Sequence, residues 1–266
     1  MISSEFFQDQ FRLWCPQLKR LLWNPPYSNE LPAFPCPACR EGHLISDKKD
    51  LLKSESGPSI RAHGHEAWDP EWIEERFVAL LRCNSPSCGD VVGLVGKGSY
   101  LEGYVTHGDG SWEQVATPTY TPISFWEAPP IIRVCEECPD SVLDQLKRSF
   151  PQYWLDLSAC ANAIRSTVEI LLTERGIPRE TEGKHGRKVW INLHDRVVMF
   201  KTGNDAAAEL LLAIKVLGNA GSHGDELRID DLLDAYEVLE HVIDIVYSTK
   251  ATRAAAVAAK LKARLE

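Results

Sequence analysis

Four cysteines in two close pairs constrain this chain more than any other feature of its sequence. Two residues separate Cys36 from Cys39, and four separate Cys83 from Cys88, in turn-forming segments that contain proline, serine and glycine. Two such pairs supply the four thiolates of a closed tetrahedral Zn²⁺ site, which has no open position for a substrate. The alternative is that all four are ordinary buried cysteines. The spacing predicts one structural Zn²⁺ ion, held in a zinc ribbon.

A third pair, Cys135 and Cys138, has the spacing of the first pair. It has three possible roles. The pair binds a second ion together with a histidine such as His63 or His65, it replaces the second pair as ligands, or it forms a turn before a helix that begins near residue 140. The sequence leaves these alternatives open.

Composition and charge limit where the protein acts and what it binds. Of 266 residues, 44% are hydrophobic and 25% are charged, as in folded globular proteins, and the net charge of −9 argues against a surface that is basic throughout. Glu5, Asp9 and Arg12 stand where a signal peptide would be apolar, and no run of 18 apolar residues occurs. We expect a cytoplasmic protein without a membrane span, in which Cys15 and Cys160 belong to helical cores.

The pattern of apolar residues predicts an α+β protein, with a β-rich zinc ribbon followed by an all-α bundle. Strands are predicted over 77–83, 90–96 and 99–106, and helices over 152–175, 189–201, 204–217 and 230–248. The predicted segments are an N-terminal helix and lead-in (1–35), a ribbon domain with a long insertion (36–112), a proline-rich connection (113–139), a helical domain (140–248) and a basic, alanine-rich helical tail (249–266).

Two strings in the helical part resemble a known family. They are SFPQYWLDLSACANAIRSTVE at 149–169 and AIKVLGNAGSH at 213–223. Together they resemble the bacterial family called domain of unknown function 4145, which is similar to HEPN nucleotide-binding and ribonuclease domains, over about residues 119–248. The resemblance implies a HEPN-like helical bundle, a homodimer, and a setting in bacterial defence against phage or foreign DNA.

A polar stripe runs along the first of these strings. Ser158, Asn162, Arg165 and Glu169 follow one another at spacings of four, three and four, so they share one side of a helix beside its apolar face. Arg165 and Glu169 are spaced for an ion pair within the helix. The stripe is either a salt bridge that borders the core or part of a site.

The second string places a histidine near that stripe. Gly218 is predicted to end a helix, and Asn219 and His223 to lie in the turn after it, facing the stripe. HEPN ribonucleases carry an arginine followed after four to six residues by histidine. This sequence has no arginine there, and only Lys215 supplies nearby positive charge. Lysine lacks the bidentate fork of arginine, so the departure weakens the ribonuclease interpretation.

Two functions follow from these observations. In the first, the helical domain dimerises or holds a partner, while the ribbon recognises nucleic acid, RNA or DNA, or a protein of a defence system. In the second, the chain is a metal-independent ribonuclease that uses attack by the ribose 2′-hydroxyl. His223 would then be the acid and base, Asn219 would orient it, Lys215 or Arg165 would stabilise the transition-state charge, and Glu169 would pair with Arg165.

Overall fold

The computed structural model describes residues 20–183, 186–223 and 227–265, with the backbone alone at 216–223 and at a few positions after 249. The chain divides into two compact units, residues 1–131 and 132–266. The first is built on an antiparallel sheet and the second is mainly helical, so the predicted α+β class is confirmed. Most of the predicted N-terminal helix, and Cys15 with it, lies outside the described residues.

The first unit contains a six-stranded antiparallel sheet in the order β1-β6-β5-β4-β3-β2. Helix α1 (Gly57–Ala62) and a 3₁₀ turn (Pro70–Trp72) connect β3 to β4. The strands are β1 (Tyr27–Ser28), β2 (Phe34–Pro35), β3 (His43–Glu55), β4 (Glu75–Cys83), β5 (Val91–Thr106) and β6 (Trp112–Trp126).

One face of this sheet forms the core and the other face is exposed. Along β4, buried and exposed positions alternate strictly, as the two-residue period of a strand requires. Phe77 and Leu81 of β4 lie in the core with Phe34 and Leu44, and all four are almost fully buried. Phe34 also packs edge-on against Phe125 of β6, with ring centroids 5.3 Å apart. The alternation therefore fixes which side chains remain outside.

Strand β6 corrects the prediction that residues 113–139 are a connection. Residues 112–126 pair with β5 along their whole length, and the division between the units falls after Ile131. Prolines are tolerated here because, among the described residues, β1 pairs with only two residues of β6 and most of that edge has no neighbouring strand. Pro122 also lies opposite Gly96, where the register shifts. The sheet unit thus extends beyond the predicted 36–112 at both ends.

The second unit contains seven helices in the described residues, and a small antiparallel pair of strands, β7 (Glu180–Glu182) and β8 (Lys188–Trp190). Helices α4, α6 and α7 pack against one another, and α2 and α3 pack against α4. The helices are α2 (Asp140–Lys147), α3 (Ser149–Leu155), α4 (Leu157–Glu174), α5 (Leu193–Phe200), α6 (Asp205–His223), α7 (Ile229–Tyr247) and α8 (Lys250–Leu265).

Helix α4 is central to this bundle. The predicted helix over 152–175 is divided at Asp156, whose backbone is extended and whose carboxylate accepts a hydrogen bond from the amide of Ala159 at 2.9 Å, as an N-cap does. Its apolar face, including Ile164 and Val168, is fully buried. Gly176, with φ of 79°, follows the end of the helix, as the sequence predicts.

The end of helix α6 corrects a second prediction. The sequence predicts that the helix stops at Gly218 and that a turn follows, whereas α6 continues through His223. Glycine in a helix interior is unfavourable by only about 1 kcal/mol relative to alanine, so two glycines do not by themselves end a helix that packs on its neighbours. In the part of the chain described, no helix is both long and apolar enough to cross a bilayer.

Candidate functional site

The four cysteines of the two close pairs converge at one end of the sheet. Cys36 follows β2, Cys83 is the last residue of β4, and Cys39 and Cys88 lie in the turns that come next. All four sulfur atoms lie within 4.8 Å of one another. The Sγ atoms of Cys36 and Cys88 are 3.9 Å apart, and those of Cys39 and Cys83 are 3.7 Å apart. A tetrahedron of sulfurs about 2.3 Å from Zn²⁺ has edges of about 3.8 Å, so the cluster fits this ion.

Each pair lies in a tight turn closed by backbone hydrogen bonds. In the first turn, the amide of Arg40 donates to the carbonyl of Cys36 at 3.0 Å, and the amide of Cys36 donates to the carbonyl of Gly42 at 2.9 Å. Arg40 has a left-handed backbone, with φ of 59°. In the second turn, the amides of Cys88 and Gly89 both donate to the carbonyl of Ser85. These turns hold the sulfurs of each pair together.

The two turns are also joined to each other. The amide of Asn84 donates to the carbonyl of His43 at 2.9 Å, and the amide of His43 donates to the Asn84 side-chain oxygen at 2.8 Å. A Cβ atom on Gly42 would lie 2.5 Å from Cys83 Sγ, so only glycine allows this approach. The sheet therefore fixes the distance between the pairs as well as within them.

Burial and backbone amides act differently on the thiols. Burial raises the pKa of Cys36 to about 12. The amides of Gly42 and Glu41 lower the pKa of Cys39 to about 7, and the Gly42 amide lies 3.3 Å from its sulfur. A divalent cation at the centre would favour the thiolate form of all four ligands. With four protein ligands the site is closed, which suits a structural metal and not a catalytic one.

The third cysteine pair does not join a metal-ligand cluster. Within the described residues, Cys36, Cys39, Cys83 and Cys88 are the one group of three or more metal-ligating side chains that converge. The amide of Cys138 donates to the carbonyl of Cys135 in a turn just before α2, as one of the three interpretations expects. Replacement of the second pair by this one is therefore wrong. Cys160 is fully buried, with its sulfur 3.2 Å from the Tyr236 hydroxyl.

The predicted polar stripe forms part of a second candidate site, in the helical unit. The Nε of Arg165 lies 3.4 Å from Oε1 of Glu169, and both side chains are about one-third exposed. They line a cavity of about 220 Å³ together with Arg179, Trp190 and Arg196. Arg179 follows α4, Trp190 ends β8 and Arg196 lies on α5, so residues distant in sequence complete the cavity.

Thr173 orients two of these arginines. Its hydroxyl oxygen accepts hydrogen bonds from Arg196 Nη2 at 2.8 Å and from Arg179 Nε at 3.1 Å, while the hydroxyl donates to the carbonyl of Glu169 at 2.8 Å. Burial lowers the pKa of Arg196, which is 3% exposed, and the positive charge of Arg179 lowers it further. Among the described residues, the buried Nε of Arg196 has no hydrogen-bond partner.

Sequence reasoning found only part of this cavity. Helical spacing predicts Arg165 and Glu169. It does not predict Arg179, Trp190 and Arg196, because no periodicity links a loop, a short strand and a different helix. Lys215 is half-buried on α6. The side chains of Asn219 and His223 lie outside the described residues, so their approach to the stripe stays a prediction.

Both parts of the chain match family models. Residues 149–264 match the model described as a domain of unknown function, DUF4145. The helical unit is therefore similar to this family over the matched residues. The resemblance predicted from the sequence is confirmed, although the match begins later than residue 119 and includes the basic tail. Residues 26–125 match a second domain of unknown function, DUF8608. No curated protein and no solved structure matches the chain.

The two family matches contain the two candidate sites separately. All four clustered cysteines fall within the DUF8608 match, which also spans nearly the whole six-stranded sheet. The cavity of Arg165, Arg179 and Arg196 falls within the DUF4145 match.

Proposed function

We propose that this chain is a zinc-stabilised binding module, in which the exposed face of the six-stranded sheet holds single-stranded nucleic acid. The closed four-cysteine cluster supports a structural Zn²⁺ ion that fixes the end of the sheet. The observation that carries the binding function is the chemistry of the exposed face, which combines basic and apolar side chains in a chain of net charge −9.

The pairing of the strands defines this outer sheet face. Across β4 and β5, Arg76 lies opposite Lys97, Val78 opposite Val95, Leu80 opposite Gly93, and Arg82 opposite Val91. Side chains directly opposite one another in an antiparallel pair point to the same side. On the β3 side of the same face, Ile45 lies opposite Arg82 and Leu52 lies opposite Val78. On the β6 side, Trp126 lies opposite Gly93.

The outer sheet face is large, apolar and locally basic. Val78, Leu80 and Val95 are 51%, 48% and 44% exposed, and Trp126 is 79% exposed. None of the positions of β4 and β5 on this face is acidic, and three of them are arginine or lysine. Positive groups contact phosphates, while aromatic and apolar side chains contact unpaired bases. This combination favours a single-stranded nucleic acid over a protein partner, which would need no excess of positive charge.

Fluorescence anisotropy with labelled single-stranded RNA and DNA tests this function. We expect Arg82→Gln with Lys97→Gln to weaken binding and to reduce its dependence on salt, because each lost phosphate contact removes about one released counterion. Trp126→Ala should weaken binding by about 1–3 kcal/mol, as loss of one stacked base does. Lys188→Gln, an exposed lysine of the helical unit, is the matched control. Unchanged affinity in both sheet variants would contradict the proposal.

The chain is further proposed to form a homodimer and to act in bacterial defence, as the HEPN-like resemblance implies. Val257 and Leu261, four residues apart on α8 and both more than half exposed, support pairing through apolar surface. Light scattering at micromolar concentration should give twice the chain mass of 29.8 kDa. A mass equal to one chain would contradict the dimer. The ribonuclease alternative predicts that RNA is cut in the same binding assays by the wild type but not by His223→Ala.

A further inference from the structure

The cavity of the helical unit has a chemistry that the proposed binding module does not use. Among the described residues, its lining holds three guanidinium groups, from Arg165, Arg179 and Arg196, against a single carboxylate, from Glu169. The lining therefore carries a net formal charge of +2. Like charges brought together around one space repel each other unless an anion lies between them.

Arg196 contributes a buried guanidinium group to the cavity, and other residues hold that group in one orientation. The residue is 3% exposed, and one of its terminal nitrogens is held by Thr173 and by the carbonyl of Ile177 at 3.0 Å. Within the described residues its buried Nε makes no hydrogen bond. A buried N–H without an acceptor is unfavourable by about 1–3 kcal/mol, and more for a charged group. The guanidinium is thus fixed in orientation and has a donor left to offer.

We propose that this cavity binds a phosphate monoester, with the phosphate held by Arg165, Arg179 and Arg196. The planar arginine fork matches phosphate oxygens in pairs. A phosphate monoester carries a charge of about −1.5 to −2 at pH 7, which balances the lining, whereas a carboxylate carries a charge of only about −1. This inference does not depend on the nucleic-acid function of the sheet.

Trp190 and Glu169 shape the specificity of the cavity. Trp190 lines the cavity but is 72% exposed, so its ring contacts the organic part of the ester while the arginines hold the phosphate. In the absence of a ligand, Glu169 forms an ion pair with Arg165. Binding must separate that pair, and Glu169 then opposes the incoming negative charge.

Titration calorimetry of the full chain in a phosphate-free buffer tests the proposal, with inorganic phosphate, phenyl phosphate and acetate as probes. We expect phosphate to bind more tightly than acetate, and phenyl phosphate more tightly than phosphate. Arg179→Gln and Arg165→Gln should each weaken phosphate binding by about tenfold or more, the loss expected for one charge-assisted hydrogen bond. Arg187→Gln, an exposed arginine of the same β7–β8 segment that does not line the cavity, should bind as the wild type does.

Two further variants separate binding from folding. Glu169→Gln is expected to bind phosphate about two- to fivefold more tightly, a gain that misfolding cannot produce. Trp190→Ala should reduce the advantage of phenyl phosphate over phosphate, because the ring that contacts the organic part of the ester is lost. The proposal is overturned if neither phosphate binds, if acetate binds as tightly as phosphate, or if the Arg165 and Arg179 variants match the wild type. Equal affinity for phosphate and phenyl phosphate would overturn the choice of a monoester.

Discussion

Gly42 lies where the two cysteine turns meet, and the space around it is closed by Cys83, Asn84 and Ser85. A Cβ atom at this position would lie 2.5 Å from Cys83 Sγ and 2.9 Å from Ser85 Cβ. Both neighbours are held in place, because Cys83 belongs to the cysteine cluster and the carbonyl of Ser85 accepts hydrogen bonds from Cys88 and Gly89. The methyl group of an alanine at position 42 would therefore clash with Cys83, one of the four proposed metal ligands.

We predict that Gly42→Ala displaces Cys83 and destabilises the sheet unit by about 1–3 kcal/mol, the usual loss for overpacking. Urea unfolding in the presence of Zn²⁺ measures this change. Gly108→Ala is the matched control, since a Cβ there would meet nothing within 4 Å. Equal stability of the two variants would show that the two turns do not meet as described.

At this scale the sequence predicts the metal ligands and only part of the cavity. The spacing of the cysteines is enough to predict the site, because two thiolates separated by two residues can bind the same ion. No spacing in the sequence marks Arg196 as a residue of the cavity. Its burial depends on the position of α5 against α4, which is a property of the packed bundle, so it was not found from the sequence.

At the scale of the elements, buried hydroxyl groups tie the helices together. The Tyr236 hydroxyl of α7 donates to Ser149 Oγ of α3 at 2.7 Å, and Ser149 donates to the carbonyl of Leu146 at 2.6 Å. Burial raises the pKa of Tyr236 well above its usual value, so the phenol stays neutral and able to donate. The hydroxyl of Tyr247, also on α7, is buried but has no partner among the described residues.

Removal of these two hydroxyls should have different effects. Tyr236→Phe is expected to destabilise the helical unit by about 1–2 kcal/mol, because Ser149 loses its buried donor. Tyr247→Phe removes a hydroxyl that makes no hydrogen bond, and its effect should be neutral or slightly stabilising. Free energies of unfolding from urea titration compare the two. A larger loss for Tyr247→Phe than for Tyr236→Phe would contradict the described network.

The element predictions that differed from the structure depended on glycine and proline. Prolines in 113–139 favour a connection, yet β6 tolerates them because β1 pairs with only two of its residues in the described part of the chain. Gly218 suggested a helix end, yet α6 continues to His223. In both places the tertiary context outweighs a local preference, which for glycine in a helix is about 1 kcal/mol. The strongly periodic segments, such as 230–248, were predicted nearly to the residue.

At the scale of the whole molecule, the proposed metal site lies in one of the two units, the sheet unit. The cluster joins the turns after β2 and β4 of the sheet, while the helical unit has its own core around α4 and α7. Metal binding contributes directly to the folding free energy of small zinc-bound units. Loss of the metal should therefore loosen the first unit and leave the second intact.

Hydrogen exchange measured by mass spectrometry, with and without a chelator, tests this division. We expect faster exchange after chelation in peptides from 27–126 and unchanged exchange in peptides from 140–247. Cys135→Ser should show the same pattern as the wild type, because Cys135 belongs to no metal-ligand cluster in the described residues. Faster exchange in both units to a similar extent would contradict the separation.

Zinc content per chain tests the central claim most directly, namely that Cys36, Cys39, Cys83 and Cys88 hold one structural Zn²⁺ ion. Mass spectrometry of the metals in freshly purified protein should find about one zinc per chain, since a closed shell of four thiolates binds one ion. Cys36→Ser should lose most of it, and Cys135→Ser should keep it. Protein without stoichiometric zinc, or a Cys36→Ser variant that retains the full amount, would contradict this account.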